Sequence, residues 1–344
     1  RMEAWHYTDL RRLLSKVPGF DASASAASVE PLLQGSAILP VLNGAAEKRE
    51  TPEGVAVATV ADRLADGSLA QLMGYDGFDD TVSAVNSALA SDGFTLDIPA
   101  GVQVTTPIEL QNVQAGGQVH TRFAVSVGEK AKATIVERQT GSGEALVSSI
   151  SNLEVGDDAD VVWLIVQEQP EGTSHLGRIN ITIGARANVT LFVMNAGGKL
   201  VRQEIRVVAQ GVDSQFRLRG VNMLAGETHC DVTMVLDHAA PNTISTETFR
   251  NVVTDRAQGV FQGQIRVARD AQKTDAKMAC NTLLLSDEGG FSSKPELEIF
   301  ADDVACGHGA TVTEIEADHL FYLMARGIDE KTARGLLVKA FIAE

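Results

Sequence analysis

The chain contains few cysteines: Cys230, Cys280 and Cys306 are the three among 344 residues. No two of them have the C-x-x-C spacing, and their number is odd. A disulfide framework and a zinc ribbon are therefore excluded as organising features. Unpaired thiols fit a reducing compartment, so we expect a soluble, cytoplasmic protein.

Long apolar runs and clusters of basic residues are also missing. No run of about 18 apolar residues could cross a bilayer, and no secretory hydrophobic region follows Arg1. Lysine and arginine total 29 against 45 aspartates and glutamates, for a formal net charge of −16. Because no basic run could neutralise phosphates, we expect neither nucleic acid nor a membrane as a partner.

Aromatic residues are scarce, at 5%, whereas there are 31 glycines and 44% of the residues are hydrophobic. This composition indicates an aliphatic core and many tight turns, as in short strands joined by turns. A length of 344 residues suits one elongated body built from repeats.

A pattern of the form [VI]-G-x-x-A-x-[AV]-x-[ILV] occurs three times, with a spacing of 28 residues. The copies begin at Val127, Val155 and Ile183, and a weaker copy begins at Gln210. After each glycine, apolar residues alternate with others, which indicates strands with one face inward. We therefore predict a mainly β protein, a right-handed parallel β-helix flanked by N-terminal and C-terminal helical segments.

Helical patterns flank these repeats. They cover residues 3–16 and 81–91 near the amino end, the second with Val82, Val85 and Leu89 on one stripe. Near the carboxyl end they cover 318–326 and 330–342, with Asp329 as an N-cap. We expect these helices to cap the open sheet edges. The predicted division is a helical and mixed region at 1–93, a β-helix core at 94–314 and a helical hairpin at 315–344.

The segment ACGHG at 305–309 places Cys306 and His308 two residues apart. On a strand both would project from one face, and thiolate and imidazole are both ligands of iron–sulfur clusters. Two donors are too few for a stable site, so others would converge on them or come from a second chain. The alternative is a buried thiol and a hydrogen-bonded histidine without a metal. The spacing leaves both interpretations open.

Other thiols and imidazoles are weaker candidates. His229 and Cys230 are neighbours, so on a strand they would point to opposite faces. We interpret them, together with His238 and Cys280, as core or surface residues.

Longer segments resemble a known family. They are EAWHYTDLRRL at 3–13, GVFQGQIRVARDAQKTDAKMACNTLLLS at 259–286, KPELEIFADDVACGHGATVTEIEADHLFYLMARGI at 294–328 and ARGLLVKAFIAE at 333–344. These runs are similar to the SufB/SufD family of iron–sulfur cluster assembly subunits, and within it to the SufD branch. The rival within the family is a SufB-type scaffold.

The resemblance implies a non-catalytic scaffold subunit of the SufBCD complex. It implies that a transient iron–sulfur cluster forms where this chain meets SufB, with His308 facing a SufB cysteine and a less defined role for Cys306. The family commonly has serine where this chain has Gly307. No stably bound cofactor is implied. A reduced flavin on the assembled complex and a homodimer of the isolated chain are left open.

The resemblance also implies that the C-terminal helices bind SufC, the ATPase of the same machinery. The residues assigned to this contact are Phe321, Tyr322, Arg326, Leu337 and Phe341. On the sequence alone, packing of this hairpin against the chain's own solenoid is an equal alternative.

A rival of another class is a carbohydrate-active β-helix enzyme. It would use the carboxylates of Asp302 and Asp303 on an exposed groove. Adjacent residues on a strand diverge, which weighs against this interpretation.

Overall fold

The computed structural model describes residues 5–10, 15–21, 23–69, 73 and 80–343. Its main feature is a stack of coils in which successive strands alternate between two sheets, so that every second strand pairs in parallel. Within the described residues, sheet A has ten strands and sheet B has nine. The stack has about eight coils, and the predicted mainly β parallel solenoid with a few helices at the two ends is confirmed.

The elements have the following bounds. Sheet A contains β1 (Ala37–Leu42), β2 (Ala45–Ala46), β5 (Ile108–Gln114), β7 (Lys132–Gly141), β9 (Asp160–Gln167), β11 (Asn188–Ala196), β13 (Gln215–Leu224), β15 (Ile244–Val253), β17 (Asp275–Leu284) and β19 (Ala305–Glu314). Sheet B contains β3 (Ala56–Thr59), β4 (Asp92–Ile98), β6 (Gly117–Val127), β8 (Ala145–Val155), β10 (Ser174–Ile183), β12 (Leu200–Ala209), β14 (His229–His238), β16 (Gln258–Val267) and β18 (Gly290–Ile299). The helices are α1 (Val60–Ala65), α2 (Thr81–Leu89), α3 (Ala317–Met324) and α4 (Glu330–Ala343). None of these helices is long and apolar enough to cross a membrane.

The register of the strands follows the sequence repeat. Val127, Val155 and Ile183, which open the three copies, are Cα partners on consecutive strands of sheet B. Ile183 then pairs with Ala209, the residue before the start of the weaker copy, so this coil is shorter than the preceding ones. The loops between strands absorb such changes in coil length, so the sheets continue without a break.

Each repeat glycine begins a turn where neighbouring coils approach closely. At Gly156, an added Cβ would lie 2.7 Å from the backbone nitrogen of Glu129 in the preceding coil, so no side chain fits. Two residues later, Asp158 has a φ of 58°, a conformation that Asp tolerates better than most residues. Its N–H donates to the carbonyl of Ala185 in the next coil, over 2.8 Å. The stacked turns therefore help to hold adjacent coils in register.

The inward faces of both sheets form one continuous apolar core. The alternating residues of the second repeat copy, Ala159, Val161, Trp163 and Ile165, are at most 2% exposed. This confirms that alternation marks the inward face. Pairing begins before residue 94, since β1 pairs in parallel with β5, and the division of the chain into three parts stays a prediction.

A ladder of polar side chains runs through the same interior. Its members are consecutive Cα partners in sheet A: Asn112, Gln139, Gln167, Asn195, Asn222, Asn251 and Thr282. Nδ2 of Asn195 donates to Oδ1 of Asn222 over 2.8 Å, and Nδ2 of Asn222 donates to Oδ1 of Asn251 over 2.7 Å. The ladder thus joins coils by side-chain as well as backbone hydrogen bonds.

Amino-terminal residues cover part of the outer face of sheet B. The guanidinium of Arg202, which is fully buried, lies 4.6 Å from the ring centroid of Trp5. It also pairs with the Asp231 carboxylate at 2.5 Å, and this carboxylate accepts a hydrogen bond from the Thr8 hydroxyl at 2.5 Å. The predicted helix at 3–16 falls largely outside the described residues.

Helix α2 differs from its predicted stripe. Val82 is buried as expected, but the buried face also holds Ser83 and Asn86, and Leu89 is half exposed. Nδ2 of Asn86 donates to Oγ of Ser148 over 2.9 Å. The outer face of sheet B is polar at this position, so the helix buries polar side chains against it.

Candidate functional site

The last coil of the solenoid is open. Strands β18 and β19 are the final strands of their sheets, and no described strand pairs with their outer edges. An edge strand presents unpaired N–H and C=O groups that can pair with another chain. We predicted that the C-terminal helices would cap this edge, but they do not. Residues 308–314 of β19 are all exposed.

Cys306 and His308 both lie on the inward face of β19, as their spacing predicts. Their Cα partners on β17 are Ala276 and Met278, and both of these are buried in the core. In earlier coils the next coil covers this face, whereas no described strand follows β19. As a result, Cys306 is half-buried against the core and His308 is exposed.

The surroundings of the pair are apolar and open. An added Cβ on Gly307 would meet no atom within 4 Å, so the backbone is accessible there. Three exposed apolar side chains lie on the same last coil, and we call them the terminal apolar patch: Ile299, Phe300 and Val312, with 40%, 54% and 46% exposed. Exposed apolar groups beside an unpaired strand edge are typical of a surface that binds another protein.

Burial raises the pKa of the Cys306 thiol, and the negative charges of Asp275 and Glu247 add to that rise. A backbone hydrogen bond from Ala276 acts in the opposite direction. Cys306 therefore stays protonated at neutral pH unless a cation or a metal ion stabilises its thiolate.

The pair is an incomplete ligand set. Within the described ranges, no three His, Cys, Asp or Glu side chains lie close enough together to hold a metal ion. Cys306 and His308 can supply one sulfur and one nitrogen donor. A four-coordinate centre at this position would need further donors from another molecule.

One more polar side chain, that of Glu247, lies on the same face as His308 two strands away and was missed by sequence reasoning. Glu247, Met278 and His308 are consecutive Cα partners on β15, β17 and β19. A signal was available, because alternation in the segment STETF places Glu247 on the same face as Phe249, a core residue. A carboxyl at a core position is unusual enough to mark as a candidate.

The C-terminal hairpin has the predicted N-cap at Asp329 and a glycine turn before it. Gly327 has a φ of 84° after α3, a conformation that favours glycine at a helix C-terminus. The Asp329 carboxylate accepts hydrogen bonds from the backbone N–H and the hydroxyl of Thr332, at 3.0 and 2.6 Å. These hydrogen bonds lower the pKa of Asp329. Both ends of α4 and the first residue of α3 lie within one residue of the prediction, and α3 ends two residues before its predicted end.

The two helices divide the residues assigned to a partner. In α3, Phe321 and Tyr322 are exposed, and the Arg326 guanidinium lies 3.6 Å from the Tyr322 ring centroid. In α4, Leu337 and Phe341 are half-buried. The ring of Phe341 faces the guanidinium of Arg250 on β15, 5.1 Å from its centroid. Helix α4 thus attaches the hairpin to sheet A, while α3 leaves an aromatic surface uncovered.

Cys230, Cys280 and His238, which the sequence analysis weighed as weaker candidates, are core residues. Cys230 and Cys280 are buried. His238 lies 2.7 Å from the Thr243 hydroxyl and 3.1 Å from that of Ser245, and burial lowers its pKa to about 4. None of these groups is accessible for an exchangeable metal.

His229 and Asp303 have structural partners as well. His229 lies 3.1 Å from the Thr8 hydroxyl. Asp302 and Asp303 are exposed in the connection between β18 and β19, and Asp303 forms an ion pair with Lys273. Neither observation adds a second reactive centre.

The fold and the site define a class: a parallel β-solenoid that presents a thiol and an imidazole at an open end. Comparison with known proteins identifies the family. Residues 110–341 match the model described as the SufBD core domain of the SUF system for FeS cluster assembly. This range covers well over half of the chain, so the chain belongs to the SufBD core family.

Individual relatives agree. An iron–sulfur cluster assembly SufBD family protein of Synechocystis sp. is 28% identical over 375 aligned positions, covering 100% of this chain and 82% of that protein. Protein ABCI7, chloroplastic, of Arabidopsis thaliana is 30% identical, covering 80% and 61%. The iron–sulfur cluster assembly protein SufD of Escherichia coli is 27% identical, covering 76% and 63%. The chain thus spans about three fifths of the length of the last two relatives.

Proposed function

We propose that this chain is a non-catalytic scaffold subunit of SufD type, which pairs with SufB through its last coil and with SufC through its C-terminal hairpin. A nascent iron–sulfur cluster forms where the last coil meets SufB, and it is a product to be released rather than a resident cofactor. The observation that carries this proposal is the position of Cys306 and His308 on the uncovered inward face of the last coil.

The incomplete ligand set supports assembly at an interface. A cluster that must be released is suited to a site whose donors belong to two chains, because separating the chains removes half of the ligands. His308 is exposed and Cys306 is half-buried beside it, so both are within reach of a docked partner. The terminal apolar patch supplies the apolar contact area that a stable interface requires.

The hairpin supports a second interface. Exposed aromatic side chains with an adjacent arginine are the residue types that dominate binding energy at protein interfaces. Phe321 and Tyr322 on α3 form such a group with Arg326, which follows the helix, and Phe341 contacts Arg250 of the solenoid. Motion of SufC would reach sheet A through the contact of Phe341 with Arg250.

One reconstitution tests both interfaces. The chain is co-purified with SufB and SufC, and the iron and sulfide of the complex are measured after cluster assembly. His308→Ala should leave the complex intact and lower its cluster content by about tenfold or more. Thr311→Ala is the matched control, since Thr311 is exposed on the same strand but faces outward, and it should retain full cluster content.

The second arm combines Phe321→Ala with Tyr322→Ala, which should abolish recovery of SufC while SufB is retained. Lys339→Ala, an exposed change on α4, is its control. Full cluster content in the His308 variant would refute the role of the last coil. Undiminished SufC recovery in the double variant would refute the role of the hairpin.

A further inference from the structure

A row of charged side chains on the outer face of sheet B ends at the open edge of the last coil, and we call it the charge ladder. Its members Asp237, Arg266 and Glu298 are consecutive Cα partners on β14, β16 and β18. Nε of Arg266 lies 4.0 Å from Oδ1 of Asp237 and 3.7 Å from Oε2 of Glu298. The charges thus alternate in sign across three neighbouring strands. Each opposite-charge pair of this kind stabilises the pairing of its strands.

The charge ladder is short of one cation at the open edge. The Arg266 guanidinium has a carboxylate on each side, so one cation serves two anions. Among the described residues, Glu298 has an opposite charge on one side alone, because β18 is the last strand of sheet B. Burial raises the pKa of Asp237, Arg266 lowers it, and the negative charge of Glu298 raises it again. The ladder therefore ends with a surplus of negative charge.

Glu298 lies beside the terminal apolar patch. Its side chain is 47% exposed, and Ile299 and Phe300 of the patch directly follow it in the chain. The Arg266 guanidinium lies 5.9 Å from the centroid of the Phe300 ring, so this cation is shared by Glu298 and the patch. A partner seated on the patch would exclude water from the surroundings of Glu298. Charge pairs contribute little while water surrounds them, whereas at an interface they control which partner binds.

The preceding outward carboxylate of β18 differs from Glu298, because its counter-charge lies on its own strand. Glu296 pairs with Lys294 at 3.2 Å, and its Cα partner on β16 is the uncharged Gln264. The outward residues of β19 that follow Cys306 are uncharged up to the end of the strand: Gly307, Gly309, Thr311 and Thr313. Glu298 is therefore the charge for which a neighbouring strand has to supply the opposite sign.

We propose that Glu298 determines which partner the last coil accepts: the strand that pairs with the outer edge of β18 carries a lysine or an arginine beside Glu298. That cation would continue the alternation of the charge ladder and neutralise its surplus carboxylate. A strand with aspartate or glutamate at this position would place like charges side by side and be rejected. The inference rests on the proposed function, in which SufB is the partner, and adds the charge that the SufB strand has to carry.

The test is the affinity of the chain for SufB, measured by isothermal titration calorimetry at about 50 mM and about 500 mM salt. Glu298→Arg should raise the dissociation constant about tenfold or more in low salt, because a repulsive pair replaces an attractive one. High salt should reduce this difference to about threefold or less, because it screens the charges.

Glu154→Arg is the matched control for the change of charge. Glu154 is an exposed carboxylate on the outer face of β8, in the same row of Cα partners but five strands from the open edge. Its replacement should change the dissociation constant by less than about twofold at either salt concentration.

A second variant separates this role from a structural one. Glu298→Arg also places a second guanidinium beside Arg266, so it should lower the melting temperature. Glu298→Gln keeps the shape of the side chain and creates no like-charge pair. It should keep the natural melting temperature while raising the dissociation constant about three- to fivefold in low salt.

Unchanged affinity of both Glu298 variants in low salt would overturn the proposal, as would equal weakening by Glu154→Arg. In both cases the natural chain still binds SufB, so the proposed function stands. Absence of SufB binding by the natural chain would instead refute the proposed function, and the inference with it.

Discussion

At the scale of single residues, buried titratable groups determine how stability depends on pH. Burial lowers the pKa of His120, His175 and His238 to about 4 each. It raises the pKa of Glu137, and that of Glu247 to about 8. The folded chain therefore keeps these imidazoles and these carboxyls uncharged over a wide range.

The two sets of groups act in opposite directions. As pH falls from about 6.5 to 4, the unfolded chain gains protons on histidine that the folded chain cannot bind, which lowers stability by about 1.4 kcal/mol per pH unit for each histidine. As pH rises above about 4.5, the unfolded carboxyls ionise while the buried ones do not, so stability falls. Three histidines outweigh two carboxyls below pH 6.5. We expect urea unfolding from pH 4.5 to 8.5 to show a stability maximum near pH 6.5, and a rise that continued to pH 8 would contradict this.

At the scale of elements, the polar ladder couples each coil to the next. Asn222 donates to Asn251 and accepts from Asn195, and all three are at most 1% exposed. Their amides join three successive strands of sheet A by side-chain hydrogen bonds. A change at the middle of the ladder thus affects two neighbouring coils.

Asn222→Ala should destabilise the protein by about 2–4 kcal/mol, because the Asn195 donor and the Asn251 acceptor both lose their partner in the interior. The measurement is the midpoint of urea unfolding. Asn188→Ala, an outward position on β11, should change the midpoint little. A cost below about 1 kcal/mol for Asn222→Ala would show that water replaces the lost hydrogen bonds.

The sequence allowed the repeating elements to be predicted, since Gly156 and the alternation after it reflect local backbone and packing requirements. The sequence did not reveal that amino-terminal residues cover part of the outer face of sheet B. Arg202 and Asp231 follow an alternating pattern that predicts solvent exposure, and their burial depends on Trp5 and Thr8, more than 190 residues away. The sequence was enough to predict that Cys306 and His308 share one face of a strand. The position of Glu247 on the same face could be found only from the register of three strands.

At the scale of the whole molecule, the open end and the net charge oppose each other. The terminal apolar patch favours association with a second surface. The formal charge of −16 repels another copy of the same chain, and salt screens this repulsion. Self-association of the isolated chain is therefore expected to depend on ionic strength.

We predict a homodimer that strengthens between about 20 and 150 mM salt, measured by sedimentation equilibrium. Val312→Asp should raise the dissociation constant by about tenfold or more, because it places a charge in the apolar contact. Thr313→Asp adds the same charge on the neighbouring outward position of β19 and should have a smaller effect. Equal effects of the two variants would indicate that the dimer uses a different surface.

The coils are layers of nearly constant thickness, and each contacts chiefly the layer before it and the layer after it. Insertion or deletion of one complete layer in the middle of the stack would change the length of the molecule by about 5 Å. The atoms around Cys306 would keep the same neighbours. The length of the stack and the chemistry around Cys306 can therefore change independently of each other during evolution.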